Sequence, residues 1–274
     1  MRAAPSTAPF GYTLAIAGAV ALVGLAYYAY AQRLALGDAA FVTGWVLLGT
    51  MLALGLFNMR KRLSALPLGR AAYWLALHVV LGLFAIGMFV VHTGGVWPVG
   101  GYEQVLAALF WATALSGVFG WLYQRMTPKR LSRLGYEVIY ERIPAEIATL
   151  REEAEAAALE GVGSSGQPTL GRYYAETMDW YFQQPRFAWS HLVGSGAAAQ
   201  WVEQRCRTVA RLVGSQEEPA LARIEAAAKL KLAVDGHYAI QRSLKRWVAV
   251  HVVLTAATLS LAVWPLIRVH GYAR

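Results

Sequence analysis

Cysteine occurs once in the 274 residues, at position 206. A lone cysteine excludes an internal disulfide, a Cys-x-x-Cys metal or redox motif, and the Cys-x-x-Cys-His attachment of a covalent haem. Charge is also scarce. Asp, Glu, Lys and Arg make up 15% of the chain, against about 25% in a typical soluble domain. There is no Walker loop and no His-Glu-x-x-His, so a nucleotide-binding or zinc-hydrolase reading has no support. What fills the space is apolar: 57% of residues are hydrophobic, and they come in blocks.

Runs of about 18 or more apolar residues read as transmembrane helices, because about 20 residues at 1.5 Å rise cross a hydrocarbon core of about 30 Å. Five such spans are legible, roughly 11–31, 40–58, 71–92, 103–124 and 247–267. The first lacks a basic n-region and a cleavage site and reads as a retained helix. The domains are then the first four spans (1–124), a polar insert (125–246), and span five with the C-terminus (247–274). The fold class is an all-α, five-span bundle with a helical insert between spans four and five.

The net charge of +9 is topological rather than a nucleic-acid footprint, because the basic residues flank apolar runs. Arg60, Lys61, Arg62 and Arg70 lie between spans two and three, and Arg125, Lys129, Arg130 and Arg133 follow span four. HTGGVWPVGGYEQ, between spans three and four, has no Lys or Arg. Positive loops stay in the cytoplasm. That puts the N-terminus and the insert in the cytoplasm and the C-terminus outside, in a bacterial inner membrane. The loop with Arg33 and Asp38 falls outside, a mild exception. Tyr27, Tyr28, Trp97, Tyr102, Trp121 and Trp247 fit interfacial belts.

In the insert, Pro144 with AEIATLREEAEAAALE predicts a helix with proline in its first turn. GVGSSGQP (161–168) predicts a flexible break. Helices are expected at about 169–184, 196–213 and 217–244, the last running directly into span five. The aromatic stretch Tyr173, Tyr174, Trp180, Tyr181 and Phe182 reads as helix core or partner surface, and Glu152, Glu153 and Glu155 as a solvated face. His191, in RFAWSHLVGSG, reads as a packed histidine. The basic segment 125–136 fits topological anchoring, contact with the inner leaflet, or an anion clamp for a haem propionate; Arg242, Lys245 and Arg246 share that ambiguity.

Span three, HVVLGLFAIGMFVVH, carries a histidine at each end. His78 and His92 are fourteen residues apart, within about 40° of four whole turns, so they share a face about 21 Å apart. Span five carries His251 and His270. His251 lies five residues after Arg246 and His78 eight after Arg70, which matches their depth near the inner side. His92 and His270 match near the outer side. Two helices thus present two histidine pairs, the donor set for two stacked bis-imidazole haems. Gly82 and Ala85 follow His78 on its face, with Gly87, Gly94 and Gly95 nearby, and small residues would let a macrocycle approach. The His251–His270 spacing of nineteen is about 100° off an integral turn, and Pro265 should kink or end the helix before His270. An alternative register uses His237, also fourteen residues from His251, but basic residues follow it closely.

These four histidines resemble the dihaem membrane cytochrome b subunits, with the nitrate reductase gamma subunit the nearest architecture and ferric-reductase-like enzymes also comparable. The resemblance rests on His78, His92, His251 and His270 and covers about 50 of 274 residues. It implies transmembrane electron transfer by two non-covalent haem b groups, His78 with His251 inside and His92 with His270 outside. It also implies quinone as a frequent partner and redox subunits at one or both faces, so the chain would be an electron-transfer subunit of an oxidoreductase. Two other classes compete. One is a membrane scaffold or assembly subunit with structural histidines. The other is a proton-relaying transporter, which would want intramembrane carboxylates; spans three and five have none.

Overall fold

The structure, a computed structural model, describes residues 8–57 and 70–272. Arg60, Lys61 and Arg62 fall outside the described residues. Those described are helical or in turns and loops, with no strand among them. The helices are α1 (Ala8–Leu34), α2 (Ala40–Leu56), α3 (Ala71–Thr93), α4 (Gly101–Ser132), α5 (Ile143–Ser165), α6 (Thr169–Tyr173), α7 (Asp179–Phe182), α8 (Ala188–Val193), α9 (Ala197–Ala210) and α10 (Glu218–Tyr272). Four helices, α1, α3, α4 and α10, are long and apolar enough to cross a membrane; α2, at 17 residues, is shorter. The chain divides into two compact units. One is built from the residues up to Trp121 together with those from Val248 on; the other is Leu122–Trp247.

In the first unit the helices alternate in direction. Phe10 meets Tyr73, and Gly18 and Gly87 let α1 and α3 approach through Val80 and Leu22, so these two run parallel. α2 runs antiparallel to both α3 and α10, with Gly44 against His92 and Gly55 against Leu259. α4 is antiparallel to α10 through Thr113 and Thr258, whose hydroxyls are 3.1 Å apart, and through Ser116 and His251. A small buried cluster of Leu47, Ala85, Met88, Phe89, Ala107 and Phe110 centres the bundle, with Phe89 and Phe110 stacked at 4.3 Å. Much of the outer apolar surface faces away from the protein: Val20, Val23 and Val253 are each about two-thirds exposed. In water that exposure would be unfavourable; in hydrocarbon it costs nothing.

Two local features explain departures from expectation. α10 continues through Pro265 to Tyr272, so the proline does not end the helix. A proline lacks the N–H that would bond the carbonyl four residues back, here that of Leu261; the Tyr102 hydroxyl donates to that carbonyl instead. Tyr102 is therefore a helix-repair residue as well as an interfacial aromatic. Arg33, the exception to the charge rule, donates to the Val91 carbonyl at 3.4 Å. It lies at the C-terminus of α3, where helix dipole and free carbonyls favour a cation. Gly94 (φ 72°) caps that terminus, and the left-handed backbone there is why glycine is needed.

In the second unit, α5 buries Ile143, Ile147, Leu150, Ala154, Ala157, Ala158 and Gly161, one face at helical spacing. It continues to Ser165 and ends at Gly166 (φ 68°), so most of GVGSSGQP is helix rather than a flexible break. The aromatic stretch spans α6, a π-helical turn (Tyr174–Met178) and α7. It supplies Tyr174, Met178, Tyr181 and Phe182 to a core shared with α9 and α10. Glu152, Glu153 and Glu155 are exposed.

Candidate functional site

His78 and His251 lie within range of each other's charge. α3 and α10 run the same way, so this follows from equal depth on parallel helices. Phe57 packs on His78 with ring centroids 4.6 Å apart. The His251 Nδ1 is 3.1 Å from the Ser116 hydroxyl, and Gly117 lets the imidazole lie close to α4. The His78 Nδ1 is buried with no hydrogen-bond partner among the described residues, a costly state for a polar atom in an apolar wall. One turn on, a side chain at Gly82 would meet nothing within 4 Å. Two imidazoles on parallel helices, an aromatic ring beside one of them and an unpaired nitrogen supply the donors that a bis-imidazole haem would use.

His92 and His270 share a level but are not brought together. His92 packs on Thr43 and Gly44 of α2. His270 packs on Phe41 and Trp45 of the same helix, edge-on to Trp45 at 5.7 Å. Thr43 and Phe41 point about 200° apart around a helix, so α2 stands between the two imidazoles. As arranged, this pair does not fit one iron. The sequence reading paired them by level along the helices, but level says nothing of lateral order, and α2 carried no histidine to draw attention to it.

His92 is tied to α2 by this contact: its Nδ1 lies 3.1 Å from the Thr43 hydroxyl, which also reaches the Ala39 carbonyl at 2.8 Å.

The remaining candidates have other duties. Gly87 is filled by Leu22, Ala85 belongs to the buried cluster, and Gly94 is a helix cap. His237 is buried in the second unit, where its Nδ1 is 3.3 Å from the Gln241 amide nitrogen. His191 packs against Gly236. Lys245 pairs with Glu141 at 2.7 Å and lies over Tyr140, while Arg242 bonds the Tyr238 hydroxyl. Arg130 donates to the carbonyls of His191 and Leu192. Among the described residues no three His, Cys, Asp or Glu side chains converge on one point.

The sequence reading missed a buried ion pair. Lys231 and Asp235, one turn apart on α10, are fully buried with Nζ to Oδ2 at 2.6 Å. Lys231 also donates to the Gln184 carbonyl at 3.1 Å and lies 4.1 Å from the centre of the Tyr181 ring. The Arg186 N–H donates to Asp235, and the other carboxylate oxygen has no hydrogen-bond partner among the described residues. The signal was present: Ile224, Ala227, Ala228 and Val234 form a buried stripe, and positions 231 and 235 fall on it at helical spacing.

Burial holds His191 down to about 4, helped by the Lys231 charge, and burial also lowers His237. Unfolded, each histidine takes a proton near pH 6.5. Between that pH and the folded value the unfolded chain binds more protons, so stability falls as pH drops from about 6.5 towards 4. Burial pushes the Asp235 carboxyl up to about 6, against the pull of Lys231, which gives the opposite slope over part of that window. His191→Gln is therefore expected to flatten the acid side of a stability-against-pH curve, read by thermal melts of the solubilised chain. An unchanged slope would contradict this assignment.

Comparison of the chain with protein-family models, with curated proteins and with solved structures finds no match to any of them.

Proposed function

We propose that this chain is a membrane-integral b-type cytochrome that carries electrons within a redox complex. In this reading α1, α2, α3, α4 and the C-terminal part of α10 all cross a bacterial inner membrane. The N-terminus and the residues between the fourth and fifth spans are cytoplasmic, as the charge pattern of the loops favours. The observation that carries the reading is the approach of His78 and His251 on parallel helices, with Ser116 on the Nδ1 of one. Those two histidines would hold the haem, with Phe57 as part of its apolar wall. When bound, the iron supplies a one-electron couple; the protein supplies two imidazoles, orientation and a low-dielectric surround. His92 is the candidate ligand for a second haem. His270 joins it only if α2 gives way, so one haem per chain is the reading the geometry favours and two is its extension. Quinone and cytoplasmic or outer redox subunits are the partners this function calls for.

A scaffold or assembly role is the second reading. The bonds His92–Thr43 and His251–Ser116 favour it, because each joins two helices and needs no cofactor. Haem content separates the two. Chain produced with ample haem is expected to yield one haem b per polypeptide by pyridine haemochromogen and protein assay, or two if the outer histidines also ligate. Stoichiometric absence of haem would favour the scaffold.

A further inference from the structure

We propose that the exposed face of α8, together with the basic end of α4, is a docking surface for an anionic lipid leaflet. The proposal rests on the membrane reading above, not on haem. In the unit Leu122–Trp247, α8 carries Trp189 and Val193, four residues apart on one face and 77% and 60% exposed. The helix that carries this tryptophan is anchored at both ends. Phe187, at the N-cap, adopts a left-handed backbone (φ 54°), a genuine outlier for a bulky residue. Its ring is locked among Trp180, Tyr181 and Trp201. At the other end Arg130 binds the His191 and Leu192 carbonyls, and the Ser190 hydroxyl accepts from the Ala198 N–H. The fold thus fixes an apolar pair outward where the unit offers it no partner of its own.

Charge and chain position say what covers it. Arg125 and Lys129 on α4, and Arg133 just past its end, recur every four residues and are exposed, a basic row in the segment that holds the arginine clamping α8. Arg130 follows the fourth apolar run by six residues along the chain. Leu122 and Trp247, the two ends of this unit, are where the chain passes to apolar spans. An exposed tryptophan on a helix held by this basic segment is the side-chain set that settles at the headgroup boundary, the ring in the interface and the cations on anionic lipid.

The test uses the full chain in vesicles of equal phosphatidylcholine and phosphatidylglycerol. A nitroxide is placed at Trp189→Cys, Val253→Cys or Leu212→Cys in a Cys206→Ser background. Collisions with oxygen, which concentrates in lipid, are compared with those with a water-soluble nickel chelate. The label at 253 should favour oxygen and that at 212 nickel, with 189 favouring oxygen at a shallower depth than 253. Replacing the anionic lipid by phosphatidylcholine should move 189 towards water. The proposal is overturned if 189 matches 212 while 253 favours oxygen, or if 189 is shielded from both reagents in vesicles and detergent alike, which would mark a protein partner. A depth at 189 that ignores the anionic lipid overturns the electrostatic half. If 253 itself reports water, the membrane reading fails, and this proposal with it.

Discussion

His251→Ala is expected to abolish haem binding at the inner site, and His78→Ala to produce the same loss. Iron that both imidazoles would hold is left one ligand short when either is removed, and His92 and His270, the other histidines of this unit, pack on α2 instead. Haem content after purification should fall at least tenfold at that site in each variant, a ligand-level rather than a graded effect. Ser116→Ala should be milder, with roughly a tenfold weaker retention, because it removes only the group holding the His251 ring. His270→Ala should leave the inner site intact. If His78→Ala and His251→Ala affect different haems, or if His270→Ala strips the same haem as His251→Ala, the pairing is wrong.

The largest stability effect is expected at Lys231 and Asp235. Removing one member of a buried ion pair strands the other charge in the core, at a cost of about 3–5 kcal/mol. Against a typical total of about 5–15 kcal/mol for a domain, Asp235→Ala should unfold a large fraction of the unit or lower its melting point sharply. Lys231→Met with Asp235→Leu keeps the volume and removes both charges. That double variant should be far less damaging than either single one, because no uncompensated charge remains. It does strip partners from the Gln184 carbonyl and the Arg186 N–H, at roughly 1–3 kcal/mol for a group that finds no water, so a residual loss is expected. Limited proteolysis and tryptophan-monitored melts of the solubilised chain read the order directly. A double variant worse than Asp235→Ala would show that the pair contributes net stability rather than only avoiding a stranded charge.

The apolar runs foretold α1, α3, α4 and the C-terminal part of α10, because a 20-residue block of hydrocarbon-compatible side chains leaves few structural options. The basic residues that mark where each span begins led to pairing His78 with His251, and His92 with His270, by level. Lateral order was not legible. It is decided by Gly44, Gly55 and Gly87, where side chains of neighbouring helices approach the backbone, and a glycine in sequence does not announce which neighbour it admits. Pro265 was legible as a break and did not end the helix: Tyr102, 159 residues before Leu261, satisfies the Leu261 carbonyl that the proline frees. The insert was legible as helical, yet the Gly-rich stretch after Glu160 stays in α5. Leu170 and Ala220 pack closely against Gly161 and hold that turn in place. The ion pair was missed for the reverse reason: a Lys and an Asp one turn apart is the commonest exposed pattern on a helix, and only the apolar stripe through the same positions betrays burial.

The central claim is that His78 and His251 hold one iron between them. A reduced-minus-oxidised optical spectrum of the purified full-length chain, produced with ample haem, tests it most directly. The account predicts the sharp α and β bands of a low-spin, six-coordinate b-type haem. A chain that is folded, exposed to haem and spectroscopically silent, or one with the broad bands of five-coordinate high-spin iron, would contradict it.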